Sequence, residues 1–193
     1  MLTQLTTVKA RLAILDTDLQ YDALLTNAIN AVSERFDKEC NRNLARTENL
    51  AQEFSPDMTE ICAVCYPIEA VSKFELKRNE AEGWVQQPGV EYLLRRACVI
   101  SLASPLGTAR QQARVTYNGG YVLPGGTPGA GQAPLPADLE QAAVEQVAHW
   151  FQNRDRLGLL RLWEYHGTYR HIADLDLLQS VKAVLFQYTR WEY

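Results

Sequence analysis

Two kinds of periodicity divide the chain. Tyr21, Leu24, Leu25, Ala28, Ile29, Val32, Phe36 and Cys40 recur three and four residues apart. That spacing puts side chains on one face of a helix. Asp22, Asn27, Asn30, Glu34, Arg35 and Lys38 fill the other face, which predicts an amphipathic helix over about 18–41. A shorter helix is expected over Val8–Leu15, with Thr6 or Thr7 as its cap, before Asp16-Thr17-Asp18 breaks it. Leu139, Ala142, Ala143, Val147, Trp150 and Phe151 predict a third helix, opened by Pro136-Ala137-Asp138 with proline in the first turn. Leu175, Leu178, Val181, Leu185 and Phe186 predict a last one over about 174–188, with Asp174 as cap. The stripes of 21–36 and 139–151 each need a cover, so they are expected to pack together, with Trp150 and Phe186 in the core.

Between these helical parts the period changes to two. Ser72, Phe74 and Leu76 alternate with Val71, Lys73, Glu75 and Lys77, and Ala113, Val115 and Tyr117 with Arg114 and Thr116. Further strands are expected over 59–65, 90–95 and 97–103, with turns at Asn79–Gly83, Gln87–Gly89 and Ser104–Gly107. Residues 119–136 hold six of the 11 glycines and four of the eight prolines, which predicts a long mobile loop. The expected fold is α+β: a predominantly helical core with an inserted small antiparallel β-sheet or partly open barrel and a C-terminal helical extension. Residues 1–43 and 136–193 would form the helical core and tail, 44–121 the β-rich insert, and 122–135 the Gly/Pro-rich loop.

Composition narrows the function classes. The 193 residues carry 19 Lys+Arg against 23 Asp+Glu, a net charge of −4. No segment is a basic block, which argues against an autonomous DNA- or RNA-binding domain. No apolar run approaches the ~20 residues of a membrane span, and the N-terminus has no apolar signal core. A cytoplasmic place of synthesis and assembly is therefore expected. The four cysteines at 40, 62, 65 and 98 then read as free thiols. Cys62 and Cys65 form a lone CxxC without a second pair or a nearby histidine, and read as two small buried residues rather than a zinc or redox site.

No constellation supports catalysis. GGTPGAGQ lacks the Lys-Ser/Thr that a phosphate loop needs after its last glycine. No GxSxG elbow and no HExxH occurs. His166 and His171, near Asp174 and Asp176, are five apart and do not share a helical face. His149 beside Trp150 reads as a half-buried histidine, and Glu80 and Glu82 as solvated carboxylates. No catalytic, cofactor or metal residue is expected. The aromatic end is different. Residues 163–193 contain seven of the chain's aromatics, and Tyr188-Thr-Arg190-Trp191-Glu-Tyr193 closes the chain where a solvated tail would be polar. Aromatics and arginine are preferred interface anchors, so Tyr188, Arg190, Trp191 and Tyr193 are the candidate partner-binding residues.

Three stretches, in order, carry a resemblance. They are LTTVKARLAILDTDLQYDALLTNAINAVSERFDKECNR, then YPIEAVSKFEL with VEYLL and ARVTYNGGY, and LPADLEQAAVEQVAHWFQNRDRLG. Over about 1–158 this order resembles the head–tail connector, or head-completion adaptor, proteins of tailed bacteriophages. The resemblance implies a non-enzymatic virion neck protein, assembled in the host cytoplasm. It implies a ring, of dodecameric size in such proteins, that sits under the portal and extends the DNA channel. Portal, tail-side neck protein, other copies of the chain and passing DNA, without sequence specificity, are the implied partners. Mild acidity suits a channel through which DNA slides, and a ring needs two different faces per subunit. The alternative from a different class is a nucleic-acid-binding packaging or regulatory factor, which would need a basic face. A small carboxylate-dependent enzyme is a third possibility.

Overall fold

The computed structural model describes residues 1–155 and 176–190, with the backbone of 161–163 and 169–171. Two compact units emerge. The first holds Met1–Cys40, Leu123–Gly125 and Leu135–Thr189; the second holds Asn41–Val122, Gly126–Pro134 and the chain from Arg190.

The first unit contains α1 (Leu5–Arg11), α2 (Asp22–Glu39), α3 (Ala137–Gln152) and α4 (Gln179–Phe186). Leu25, Ile29, Val32 and Phe36 of α2 are buried, as are Leu139, Val144 and Val147 of α3, and these two helices pack on each other. α4 packs on α3 through Val181 and Leu185. Gln146, fully buried on α3, explains how α4 begins: its Oε1 accepts the Leu178 N–H at 2.8 Å, one of the donors a helix start leaves without an internal partner.

Two apolar residues depart from the expected core. Phe186 is exposed and Trp150 only half-buried. Leu177 just before α4 and Val181 and Leu185 within it are buried and four apart. Phe186 falls one residue past that row, about 100° around the helix. α4 is also shorter than expected, and Asp174 and Leu175 lie outside the described residues.

In the second unit, β1 (Thr47–Phe54), β3 (Ile68–Lys77), β4 (Trp84–Gln87) and β7 (Gln112–Gly119) form one antiparallel sheet in the order β1-β7-β3-β4. β2 (Glu60–Cys62), β5 (Tyr92–Arg95) and β6 (Val99–Leu102) form a second, in the order β2-β6-β5. Phe74, Val115 and Tyr117 from the first sheet and Ile61, Ile100 and Leu102 from the second share one hydrophobic cluster. Burying one face of each sheet is what stabilises both. The short strands β8 (Tyr121–Val122) and β9 (Ala133–Pro134) pair in parallel, tying together the two ends of the Gly/Pro-rich segment. A last antiparallel pair, β10 (Arg161–Trp163) with β11 (Tyr169–His171), belongs to the first unit.

The fold is α+β, but the expectation of a predominantly helical protein is overturned: helix and strand hold nearly equal shares of the described residues. The region expected to be a small insert carries two sheets and a hydrophobic core of its own. β1 and β4 escape the alternation test because their sequences, TENLAQEF and WVQQ, are rich in polar residues.

Candidate docking surfaces

The Tyr-x-Gly-Gly-Tyr run, Tyr117–Tyr121, owes its composition to close packing. A Cβ on Gly119 would lie 2.6 Å from the Cys65 carbonyl oxygen. Gly120 has φ +101°, and its Cβ would lie 2.7 Å from the Ala45 carbonyl oxygen, so both positions require glycine. Tyr117 is fully buried. Its Oη accepts the N–H groups of Val64 and Cys65 at 3.1 and 3.2 Å and donates to Gln52 Oε1 at 2.8 Å. Burial pushes the phenol up to about 12. Beside this knot, buried Arg42 donates to the Tyr66 carbonyl, and its guanidinium lies 3.2 Å from the Tyr66 ring centroid and 5.3 Å from that of Tyr121. These polar groups hold the chain segments around 42–45, 64–66 and 117–121 in place.

Buried Cys65 places its Sγ 3.1 Å from the Gly119 carbonyl and 3.3 Å from that of Ala45, whereas Cys62 is half-buried. His149 is half-buried and lies 3.4 Å from Asn153 Nδ2. Glu80 pairs with Lys77 at 2.6 Å, and Glu82 accepts from the Asn79 amide at 3.5 Å. No group of three metal-ligating side chains occurs among the described residues. His166 and Asp174 lie outside them, as does the side chain of His171. No helix among the described residues is long and apolar enough to cross a membrane.

The structure separates the four tail residues. Tyr188 is half-buried, and its Oη donates to the Asp138 carboxylate at the start of α3, 2.8 and 2.9 Å from the two oxygens. Thr189 Oγ1 donates to the Leu185 carbonyl at 3.1 Å. Tyr188 thus ties the end of α4 to its own unit. Arg190 reaches the Asn41 carbonyl at 3.4 Å and lines a cavity of about 700 Å³ with Gln52, Phe54, Asp57, Glu60 and Ile61. Trp191 and Tyr193 lie outside the described residues.

Two exposed apolar features were not singled out by sequence reasoning. One is the α1–α2 connection with Leu15 and Leu19; the other is strand β5 with Tyr92, Leu93 and Leu94. A leucine in a turn and an alternating strand at a sheet edge look ordinary in sequence, and only their exposure marks them.

The buried side chains of Tyr117, Gln146 and Arg42 each hydrogen-bond to backbone within their own unit. Residues 1–156 match the family model of the head completion protein, and the chain belongs to that family. Two solved structures share the fold. A chain from the neck of an empty GTA particle computed with C6 symmetry superposes with a TM-score of 0.61 at 12% identity, over 97% of this chain and 89% of that one. A chain from the virion of a native gene transfer agent (GTA) particle gives 0.56 at 15% identity, over the same shares. Among curated proteins no significant relative is found.

Proposed function

We propose that the chain is a structural adaptor of the virion neck, one subunit of a ring that continues the DNA channel between head and tail. The observation that carries this reading is the match of residues 1–156 to the head completion protein family. The shared fold with a chain from the neck of a GTA particle supports it. The role is non-enzymatic. The ring is dodecameric, its upper partner is the portal, its lower partner a tail-side neck protein, and DNA passes without sequence-specific contact. The acidic balance of the chain, −4 overall, suits this passage, because dense phosphate contacts would hold the DNA.

The C-terminal segment is the proposed portal contact. Tyr188 sets its starting point through Asp138, Arg190 follows as a polar supplement, and Trp191 and Tyr193 supply the aromatic anchors. The test is deletion of 191–193, which leaves the Tyr188–Asp138 bond in place. The shortened protein is expected to fold and to lose stable attachment to portal rings or filled heads. Normal attachment by a folded, shortened protein would move the docking site elsewhere.

A further inference from the structure

Lys9 is 2% exposed, yet it carries an ammonium group. Its Nζ donates to the carbonyl oxygens of Asp16 at 3.2 Å and Asp18 at 2.8 Å, and pairs with Asp22 Oδ1 at 2.5 Å. Those contacts use the full donor capacity of a lysine. The connection between α1 and α2 is therefore fixed from beneath by one buried cation. On its outer side it presents Leu15 at 75% exposure and Leu19 at 70%. Between them stand the exposed carboxylates of Asp16 and Asp18, the second of which also accepts the Gln20 N–H through Oδ1 at 3.0 Å. Water gains nothing from two leucines held out on a loop of fixed shape, whereas a partner does, because little order remains to be imposed on binding.

The second unit carries a surface of matching kind that ends in two exposed arginines, Arg95 and Arg96, the first of them paired with Glu60. β5 is an outer strand of the β2-β6-β5 sheet. Leu93 on it is 70% exposed, and Leu94 and Tyr92 are 39% and 37% exposed. An open sheet edge with apolar side chains is a surface that proteins normally cover. The strand runs into Arg95 and Arg96. Arg96 and Ala97 both take left-handed backbone, with φ of +51° and +52°, and the Cys98 N–H closes the turn on the Arg95 carbonyl at 3.1 Å. Side-chain-bearing residues resist that conformation, yet here it ends the strand on an exposed arginine. Arg95 holds Glu60 at 2.7 Å in an exposed pair.

We infer that residues 15–19 of one copy dock on the β5 edge and Arg95-Arg96 turn of the next copy. This inference rests on the ring reading above and assigns its subunit contact. A closed ring needs a heterologous interface made of two different surfaces on every subunit. Leu-Asp-Thr-Asp-Leu and Tyr-Leu-Leu-Arg-Arg supply such a pair, with apolar against apolar and carboxylate against guanidinium.

Charge reversal tests it. Variant one carries Asp16→Lys and Asp18→Lys; variant two carries Arg95→Glu and Arg96→Asp, aspartate being tolerant of the left-handed turn. Masses are read by sedimentation across a range of concentrations, alone and with the portal ring, and folding is checked by circular dichroism. The wild-type chain is expected to form multimers, and each variant alone to associate at least tenfold more weakly. The 1:1 mixture is expected to recover assembly in strict alternation, since each reversed surface then meets its complement. Leu15→Ser and Leu93→Ser, which leave the charges and the Lys9 contacts in place, are expected to weaken assembly as well and serve if a reversed chain does not fold. Wild-type assembly with inert reversals, or a folded mixture that stays monomeric, overturns this interface but leaves the ring. A wild-type chain that never assembles, alone or with the portal, overturns the ring and this inference with it.

Discussion

Replacing Tyr117 by Phe removes one oxygen from the centre of the β unit and should leave the ring where it is. The effect can be followed atom by atom. Gln52 Oε1 loses the phenol but still accepts the Val64 N–H at 2.9 Å, and Gln52 Nε2 still donates to the Cys62 carbonyl at 2.9 Å. The Cys65 N–H, donating to Tyr117 Oη at 3.2 Å in the wild type, loses that acceptor while buried. The variant loses the bonds from the Cys65 N–H to Tyr117 Oη and from Tyr117 Oη to Gln52 Oε1, each worth about 1 kcal/mol net, so a loss of about 2 kcal/mol at neutral pH is expected.

The pH dependence gives a second, independent signature. The phenol's value is raised to about 12, first by burial. Its folded value thus lies above its ordinary value of about 10. The wild-type protein therefore holds this contribution fully below pH ~10 and loses it as pH rises through ~12, about 3 kcal/mol in all. The Phe variant has no such proton to lose, so the stability gap between the two proteins should narrow above pH ~10. Urea titrations at pH 7, 9 and 11 measure both effects. Equal stability at pH 7, or a gap that stays constant up to pH 11, would refute the hydrogen-bond reasoning.

Glu75→Gln should destabilise the first sheet by about 2 kcal/mol at pH 7, less than the full cost of breaking a buried pair because Arg114 is partly exposed. Glu75 is buried and meets Arg114 at 2.7 and 3.1 Å and Lys73 at 3.2 Å. Arg114 first, then Lys73, hold its carboxyl below the ordinary value against the opposing effect of burial. Its contribution is present above the ordinary glutamate range and lost as pH falls through the depressed value. Acid unfolding followed by circular dichroism should accordingly be less pH-dependent in the variant. Trp150 is half-buried and its Nε1–H is buried without a hydrogen-bond partner. Trp150→Phe should therefore be near neutral or stabilising in thermal melts, while Trp150→Ala should cost about 2 kcal/mol, short of the ~3–5 of a full core truncation.

The helices were legible because a repeating stripe survives small errors at its ends. α2 and α3 follow from Leu25, Ile29, Val32 and Phe36 and from Leu139, Ala143 and Val147, all of which are buried. β1 was not legible because one of its inward groups is polar. Gln52 serves the core as a hydrogen-bond bridge between Tyr117 and the backbone of 62–64, and a glutamine inside a strand looks like solvent-facing sequence. The Gly119-Gly120 pair could be noticed as a motif, but its cause lies in carbonyls more than 50 residues away, at Cys65 and Ala45. The tail was half legible. Its aromatic character is written in the sequence, whereas the bond from Tyr188 to Asp138 joins residues 50 apart.

The acidic break shows why charge patterns alone misdirect. In sequence, Asp16-Thr17-Asp18 looks like a helix stop whose carboxylates offer a cap. In the structure α2 starts later, after Tyr21, and no side chain caps it. The break is held chiefly by its backbone, because Asp16 and Asp18 give Lys9 their carbonyl oxygens, while the Asp18 carboxylate also accepts the Gln20 N–H at 3.0 Å. A lysine is rarely buried without compensation. Here the compensation comes from two carbonyls that a helix would have used and one carboxylate, Asp22, in the first turn of α2. Extending α1 through this segment would take those carbonyls into helical bonds and leave the ammonium short of acceptors. The break and the buried lysine therefore require each other. Lys9→Met should separate their roles: by freeing the loop it should increase hydrogen exchange over 12–20 without disturbing the α2–α3 core, whose buried row begins at Leu25. Unchanged protection over 12–20 would show that the loop is held by something other than the cation.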